Sequence, residues 1–209
     1  MKSHLVILDR DGVINYDSDD YIKSVAEWSP IPGSLEAIAR LSRADFRIVV
    51  ATNQSGIARG LYNLTTLNQI HQKMTAALRD HGGQIEAIFF CPHGPDDGCD
   101  CRKPRPGLLH QISERLNVPL AGVPVVGDSL RDLQCASRVG ARPFLVRTGK
   151  GVKTEPLLAD EEPNSALKNT LVFNDLAEFT EALLQGDLEN TSQDQRAPNL
   201  ALQSGNLKG

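Results

Sequence analysis

Short apolar runs alternate with amphipathic segments along most of the chain. Runs typical of buried strands lie at 5–8, 48–51, 87–90, 123–126 and 144–146. Between them the pattern predicts helices, most clearly after Thr66, where Leu67, Ile70, Met74 and Leu78 share one face. Strands that alternate with helices favour an α/β fold in which a mostly parallel sheet is covered on both faces. We therefore expect a Rossmann-like three-layer α/β/α sandwich.

The length of 209 residues suits a single domain. We predict that this domain spans 1–185, because residues 186–209 have the polar composition of a flexible tail. The net charge is −4 and no run of basic residues occurs, which disfavours a nucleic-acid partner. No apolar stretch approaches the roughly 18 residues of a membrane span, and no export signal is present. We expect a cytoplasmic monomer without a membrane partner.

Reactive side chains stand directly after four of the predicted strands. They are Asp9, Thr52, Cys91 and Asp128. In an open parallel sheet the ligand crevice lies beyond the carboxyl ends of the strands. We therefore expect these four side chains to point toward the same edge of the sheet.

The residues at this edge match the requirements of phosphate monoester hydrolysis. That reaction needs a nucleophile, an acid for the leaving oxygen, a divalent metal and fixed positive charge. Asp9 is the candidate nucleophile, and Asp11 is the candidate acid/base, with a pKa that we expect its carboxylate neighbour to raise. Lys103 supplies a positive charge, and the Thr52 hydroxyl and the Asn53 backbone N–H supply hydrogen-bond donors.

The same edge offers oxygen ligands for Mg²⁺. Carboxylates of Asp9 and Asp128, with a backbone carbonyl from the Asp9 loop, suit the preference of this ion for hard oxygen ligands. Asp132 follows Asp128 by four residues, so it could support the metal site from behind.

Four segments resemble, in order, the motifs of the haloacid dehalogenase superfamily. They are 9–13, 52–60, 102–104 and 127–132. Within that superfamily the pattern is most similar to the D-glycero-D-manno-heptose-1,7-bisphosphate 7-phosphatases. The resemblance implies Mg²⁺-dependent removal of the 7-phosphate through a phosphoaspartate on Asp9, with Asp11 as acid/base and Thr52 and Lys103 stabilising the phosphoryl group. It also implies that Asp9, the Asp11 carbonyl and Asp128 hold Mg²⁺.

The gaps between the motifs leave no room for a large cap domain, so we expect an open pocket for a small phosphorylated sugar. Arg102 is the candidate for recognising the sugar or its second phosphate, because a guanidinium can bind phosphate through two hydrogen bonds. Some relatives have lysine where this chain has Ser129. The substrate contacts that we predict are Asp17, Tyr21, Asn53, Gln54, Ser55, Arg102 and Ser129.

Three cysteines and one histidine lie within eleven residues, at Cys91, His93, Cys99 and Cys101. Zn²⁺ binds four such ligands tetrahedrally, and a closed set of this kind is structural. The heptose phosphatases carry the same loop, which ends beside Arg102 and would fix the segment that delivers Lys103. We expect Cys135 to be a small core residue. The other histidines, His4, His71, His81 and His110, are expected on the surface or on helix faces.

Three other interpretations remain open. Histidinol-phosphate phosphatases share the four motifs and often the zinc loop. Polynucleotide 3′-phosphatases resemble segment 52–60, although the acidic balance and the missing basic groove disfavour them. A phospho-receiver or a zinc-stabilised interaction module would need an acceptor aspartate but no acid/base, so Asp11 would be unnecessary.

Overall fold

The computed structural model describes residues 4–162 and 165–190, and its centre is a six-stranded sheet. All neighbouring strands pair in parallel, in the order β3-β2-β1-β4-β5-β6. The strands are β1 (Leu5–Leu8), β2 (Arg47–Asn53), β3 (Ala87–Cys91), β4 (Pro124–Gly127), β5 (Arg142–Val146) and β6 (Leu171–Phe173). The chain reverses its direction across the sheet between β1 and β4, the position at which α/β folds form their ligand crevice.

Helices connect the strands. They are α1 (Ser34–Arg43), α2 (Leu64–Asp80), α3 (Gly107–Leu116), α4 (Leu130–Arg138), α5 (Gly151–Ala159), α6 (Leu176–Gln185) and α7 (Asp187–Asn190). Helix α2 begins two residues before Thr66, because the Asn63 side chain accepts a hydrogen bond from the Thr66 backbone N–H and caps the helix.

The core lies in two layers, one on each face of the sheet. Along β1, Val6 and Leu8 pack on one side with α1, α2 and α6. Leu5 and Ile7 pack on the other side with α3 and α4. Because side chains alternate along a strand, an apolar strand of this kind must be covered on both faces. The predicted three-layer α/β/α sandwich is confirmed.

The pattern did not predict β6, α5 or α6. The only apolar run at β6 is three residues long, and α5 contains Pro156, which interrupts helical periodicity. The predicted tail begins with α7, and Leu188 in this helix is buried. Residues 191–209, the rest of that tail, lie outside the described residues, so the domain boundary stays a prediction.

No large cap domain interrupts the described fold. Within residues 4–162 and 165–190, only α1 separates β1 from β2, and only α2 separates β2 from β3. The carboxyl edge of the sheet is therefore open. None of the described helices is long and apolar enough to cross a membrane.

Candidate active site

The ends of β1, β2 and β4 meet around a cavity of about 270 Å³, called here the catalytic cavity. Asp9, Thr52 and Asp128 all line it, as does Lys103 from the segment before α3. Every predicted catalytic residue and every predicted substrate contact lines this cavity. Cys91, at the end of β3, lies in a separate cluster with His93, Cys99 and Cys101.

A buried ion-pair chain forms the floor of the cavity. The Lys103 ammonium lies 3.0 Å from Asp9 Oδ1 and 2.5 Å from Asp132 Oδ1, and it donates to Ala51 O at 2.8 Å. Burial alone would lower the pKa of Lys103, but the charges of Asp132 and Asp9 raise it above its usual value. Lys103 therefore stays protonated, with its charge directed at the candidate nucleophile.

Asn53 fixes the backbone that carries this lysine. Its amide donates to Lys103 O at 3.1 Å and accepts from Lys103 N at 3.1 Å. Two reciprocal hydrogen bonds thus join β2 to a segment fifty residues away. The Asn53 side chain acts as a positioning group for Lys103, and the Asn53 backbone N–H stays a predicted donor to substrate.

Asp11 is held by donors on several sides. Arg10 binds both of its carboxylate oxygens at 2.9 Å, and Asn15 and Gln54 each donate to it at 2.8 Å. Burial would raise the pKa of Asp11, but the Arg10 charge and these hydrogen bonds outweigh burial and lower it. The expectation of a raised pKa was wrong, because the Arg10 guanidinium binds the Asp11 carboxylate and favours its charged form.

Behind Asp11, a buried network joins β1, β2 and α2. Gln54 donates to Asp11 and to Thr52 Oγ1, and its Oε1 accepts from Arg10 and from the Tyr62 hydroxyl at 2.6 Å. Arg10 Nη1 lies 3.3 Å from His71 Nε2, which must be the acceptor because a guanidinium has only donors. Burial lowers the pKa of His71 to about 4, so the ring is neutral near pH 7.

This network revises two expectations. His71 lies on helix α2, one of the two predicted placements, but it is buried and supports the active site. The Gln54 side chain lines the cavity, but its polar atoms are occupied inside the protein. Gln54 positions Asp11, and its contact with substrate stays a prediction.

Three carboxylates form what we call the carboxylate cluster: Asp9, Asp128 and Asp132, with oxygens within 4.8 Å of one another. Burial raises the pKa of Asp9 to about 7, and burial with the charges of Asp132 and Asp9 raises that of Asp128 to about 8. When all three carboxylates are ionised, the single Lys103 charge leaves an excess of two negative charges. A divalent cation would offset that excess, so the donor set fits Mg²⁺.

The hydrogen bonds distinguish which oxygens could bind such an ion. Both carboxylate oxygens of Asp132 already have partners within the protein. Oδ1 pairs with Lys103, and Oδ2 accepts hydrogen bonds from the Ser129 backbone N–H and hydroxyl. Asp9 Oδ2 and Asp128 Oδ1 have no hydrogen-bond partner among the described residues, whereas Asp128 Oδ2 accepts from Lys150 N at 2.8 Å. Asp9 and Asp128 are therefore the available ligands, and Asp132 supports them from behind.

Glycines bring the neighbouring loops against Asp128. A Cβ on Gly12, which has a φ of 81°, would lie 2.1 Å from Asp128 Oδ2. A Cβ on Gly149 would lie 2.2 Å from the same oxygen. No side chain fits at either position. The loops after β1 and β5 can therefore approach this carboxylate only because both residues are glycine.

The sides of the cavity carry charged and polar groups. Asp17 Oδ2 pairs with Lys150 Nζ at 2.8 Å, and Tyr21 lies with its ring 5.8 Å from the Arg59 guanidinium. Arg102 donates to His93 O at 3.2 Å and lines the opposite side. Ser55 and Ser129 line the cavity too.

The predicted zinc ligands form a second cluster, called here the thiol cluster. Cys91 Sγ lies 3.3 Å from Cys101 Sγ and 3.7 Å from Cys99 Sγ, and His93 Nδ1 lies 3.3 Å from Cys101 Sγ. All four cysteines of the chain are free, and these separations exceed the roughly 2.05 Å of a disulfide bond. Burial raises the pKa of Cys91 to about 12, so a bound cation would be needed to hold its thiolate. The geometry fits Zn²⁺.

This chain is similar to two described protein families and to several named phosphatases. Residues 4–129 match the family described as polynucleotide kinase 3 phosphatase, and residues 100–179 match the HAD-hydrolase-like family. The D-glycero-beta-D-manno-heptose-1,7-bisphosphate 7-phosphatase of Bordetella bronchiseptica is 58% identical over 181 residues, which cover 87% of this chain and 98% of the relative. The Pseudomonas aeruginosa enzyme of the same name is 55% identical over 185 residues, covering 88% and 100%.

A solved structure shows the same likeness. The crystal structure of D,D-heptose 1,7-bisphosphate phosphatase from B. bronchiseptica, complexed with magnesium and phosphate, aligns with a TM-score of 0.81 at 58% identity. The alignment covers 87% of this chain and 98% of that one. This chain belongs to the heptose-bisphosphate phosphatase family. It is a haloacid dehalogenase-like phosphatase, as the four motifs indicated.

For this member of the heptose-bisphosphate phosphatase family, sequence reasoning missed four residues at or near the cavity. Arg10 binds Asp11, His71 accepts a hydrogen bond from Arg10, and Lys150 and Arg131 line the cavity. Arg10 could have been found, because it lies inside the first matched segment, directly beside Asp11, whose carboxylate it binds. His71 and Lys150 lie outside the matched segments, and only folding brings them to the site, whereas Arg131 lies inside segment 127–132 without an assigned role.

Proposed function

We propose that this phosphatase removes the 7-phosphate of D-glycero-beta-D-manno-heptose 1,7-bisphosphate through a phosphoaspartate on Asp9. The observation that carries the proposal is the environment of Asp9. Its Oδ1 is fixed by Lys103 at 3.0 Å and by Arg10 N at 2.7 Å, while Oδ2 has no partner among the described residues. The sugar is inferred from relatives of that name, which are 55–58% identical.

In the first step, Asp9 attacks phosphorus, the bond to the sugar oxygen breaks, and Asp11 gives that oxygen a proton. In the second step, water attacks the phosphoaspartate, Asp11 takes the proton of the water, and Asp9 is released with phosphate. The lowered pKa of Asp11 suits its role as base in the second step. For the first step it must be protonated, and the proton that it takes from water in the second step returns it to that form.

Lys103 and Thr52 would stabilise the phosphoryl group throughout. Lys103 lies at the nucleophile, and Thr52 Oγ1 accepts from Gln54 Nε2 at 2.9 Å, which leaves the hydroxyl hydrogen free to donate. Asp9, Asp128 and the Asp11 carbonyl would hold Mg²⁺, which when bound supplies positive charge to the phosphoryl oxygens.

The thiol cluster would hold structural Zn²⁺ through Cys91, His93, Cys99 and Cys101. Arg105 donates to Cys99 O at 2.6 Å and Arg102 to His93 O at 3.2 Å, so the loop and the Lys103 segment are joined directly. Zinc would thereby fix one wall of the cavity. A cytoplasmic monomer without nucleic-acid or membrane partners remains our prediction from the sequence.

A substrate panel tests this proposal. Purified enzyme is given both anomers of the heptose bisphosphate, histidinol phosphate and an oligonucleotide 3′-phosphate, and kcat/KM is measured for each with Mg²⁺. We expect the highest value for the β-bisphosphate. Faster turnover of histidinol phosphate would move the assignment to that alternative. Faster turnover of the oligonucleotide would favour the polynucleotide family, whose matching region spans 4–129.

A further inference from the structure

Lys150 lies in the turn between β5 and α5, and its main chain and its side chain contact different parts of the catalytic cavity. Its backbone N–H donates to Asp128 Oδ2 at 2.8 Å, and its ammonium lies 2.8 Å from Asp17 Oδ2. Asp128 is an available ligand of the carboxylate cluster, whereas Asp17 begins the segment 17–21, which lines the cavity above β1. A single residue therefore joins the metal site to this segment.

The main chain around Lys150 is held against the loops after β1 and β4. Thr148 Oγ1 donates to Gly12 O at 2.6 Å, and Oγ1 of the buried Thr154 donates to Asp128 O at 2.9 Å. With the bond from Lys150 N to Asp128, three hydrogen bonds fix this turn to the two loops of the metal site. The Lys150 side chain therefore extends from a fixed base.

The segment 17–21 has few restraints of its own. Among the described residues, no helix or strand lies between β1 and α1, and one backbone-to-backbone hydrogen bond, from Tyr21 N to Ser18 O at 3.0 Å, closes a turn within the segment. Tyr21 has a φ of 67°, a left-handed value that is uncommon for any residue except glycine. Such a conformation persists only where surrounding groups hold it. The Lys150 ammonium contacts one end of the segment at Asp17, and the Arg59 guanidinium lies over the Tyr21 ring at the other end.

The geometry identifies Asp17 as the main partner of the Lys150 ammonium. Asp19 lies farther from it, at 4.0 Å, with a side chain that is 91% exposed, whereas the Asp17 side chain is 20% exposed. Water screens an exposed ion pair more than a partly buried one, so the contact with Asp17 is the stronger of the two. Because the Lys150 side chain is itself 42% exposed, we expect the pair to have a modest effect.

We propose that Lys150 is a positioning residue that holds the segment 17–21, through Asp17, in the conformation that receives the phosphorylated sugar. Because the backbone of the same residue fixes the Asp128 carboxylate, the segment keeps a constant position relative to the metal site. This inference rests on the proposed function, and it assigns a role to a residue that lies outside all four motifs. Lys150 acts through Asp17 and needs no contact with the substrate.

Lys150→Met tests the inference, because methionine keeps the backbone N–H and an unbranched side chain but loses the charge. We expect KM for the heptose bisphosphate to rise about threefold to fivefold, with kcat nearly unchanged. Lys150→Arg keeps the charge and should restore most of the wild-type KM. Mg²⁺ affinity, measured by calorimetric titration without substrate, should not change in Lys150→Met, because the backbone bond to Asp128 remains.

A double-mutant cycle with Asp17→Asn shows whether Lys150 acts through Asp17. Asp17→Asn alone should also raise KM, and Lys150→Met should add nothing further in the Asp17→Asn background. Lys153→Met is the matched control, since Lys153 lies three residues farther along on α5 with an exposed side chain, and its loss removes the same charge. This variant should keep the wild-type KM.

An unchanged KM in Lys150→Met, or an equal rise in Lys153→Met, would overturn the inference while the proposed function stood. A Lys150→Met effect that persists in full in the Asp17→Asn background would overturn it too, because Lys150 would then contact the substrate directly. If Asp17→Asn alone left KM unchanged, Lys150 would only neutralise the charge of Asp17, and positioning would be refuted. If wild-type enzyme failed on the heptose bisphosphate but hydrolysed another substrate of the panel, both proposals would fail together.

Discussion

The carboxylate cluster and the thiol cluster each gather groups that can hold a divalent cation, yet their surroundings differ. Asp9 and Asp128 line an open cavity, and each keeps one oxygen without a partner among the described residues. The thiol cluster encloses its four ligand atoms within 4.8 Å of one another. An ion in the first cluster can still accept substrate oxygens, whereas four protein ligands complete the coordination of an ion in the second.

The carboxyl edge of the sheet thus keeps the reacting groups apart from the groups that position them. The strand ends supply the reacting groups, and the β3 loop supplies a closed site that positions Arg102 and Lys103. Loss of the open site should remove activity and leave folding intact. Loss of the closed site should act first on stability.

The largest effect is expected for Asp9→Asn. The amide cannot form the phosphoaspartate, so kcat should fall by a factor on the order of 10⁴ or more. Stability should stay the same or rise, because the change removes one of three crowded buried charges. Phosphatase assays and thermal melts measure the two effects. Asp19→Asn is the control, an aspartate that lines the same cavity with a side chain 91% exposed, and it should keep near-normal kcat. Substantial residual activity in Asp9→Asn would remove the nucleophile assignment.

Cys99→Ser tests the closed site. Without one thiolate the cluster should lose its metal, and the free energy of unfolding should drop by more than about 3 kcal/mol. Urea unfolding and metal analysis of the purified protein provide the measurement. Cys135→Ser is the matched control, because Cys135 is a buried thiol outside the cluster that donates to Arg105 O at 3.3 Å. Equal destabilisation by both changes, or unchanged zinc content in Cys99→Ser, would contradict a structural zinc site.

The order of strands and reacting groups could be predicted because it is local. Asp9 and Asp128 each follow an apolar run. Neighbouring parallel strands place their carboxyl ends at the same edge of the sheet, independently of the connecting segments. The support behind Asp11 could not be predicted. His71 meets Arg10 across 61 residues, and its position on α2 looks like any other polar position on an amphipathic helix.

The contact between His71 and Arg10 behind Asp11 can be tested through the pH dependence of stability. The folded pKa of His71 is about 4 and the unfolded value is near 6.5, so His71 does not reduce stability above pH 6.5. As pH falls from 6.5 to 4, His71 binds a proton in the unfolded chain but stays neutral in the folded protein. Stability is lost progressively, by up to about 3 kcal/mol. His71→Gln keeps an acceptor for Arg10 and should remove this contribution. Unfolding free energies of both proteins across this range measure the difference in slope, and parallel curves would refute a buried neutral histidine.

The smallest effect is expected for the pH dependence of Mg²⁺ affinity. This dependence belongs to the carboxylate cluster alone and so distinguishes it from the thiol cluster. Asp9 and Asp128, with pKa values of about 7 and about 8, must lose protons before they bind a cation. Apparent Mg²⁺ affinity should therefore rise about tenfold between pH 6.5 and 7.2, with protons released to the buffer. Calorimetric titration in buffers of different ionisation enthalpy measures both quantities. Asp17→Asn should keep the dependence, because Asp17 lines the cavity outside the cluster. A flat affinity would mean that the two carboxylates are already ionised and that some other cation, fixed within the protein, offsets them.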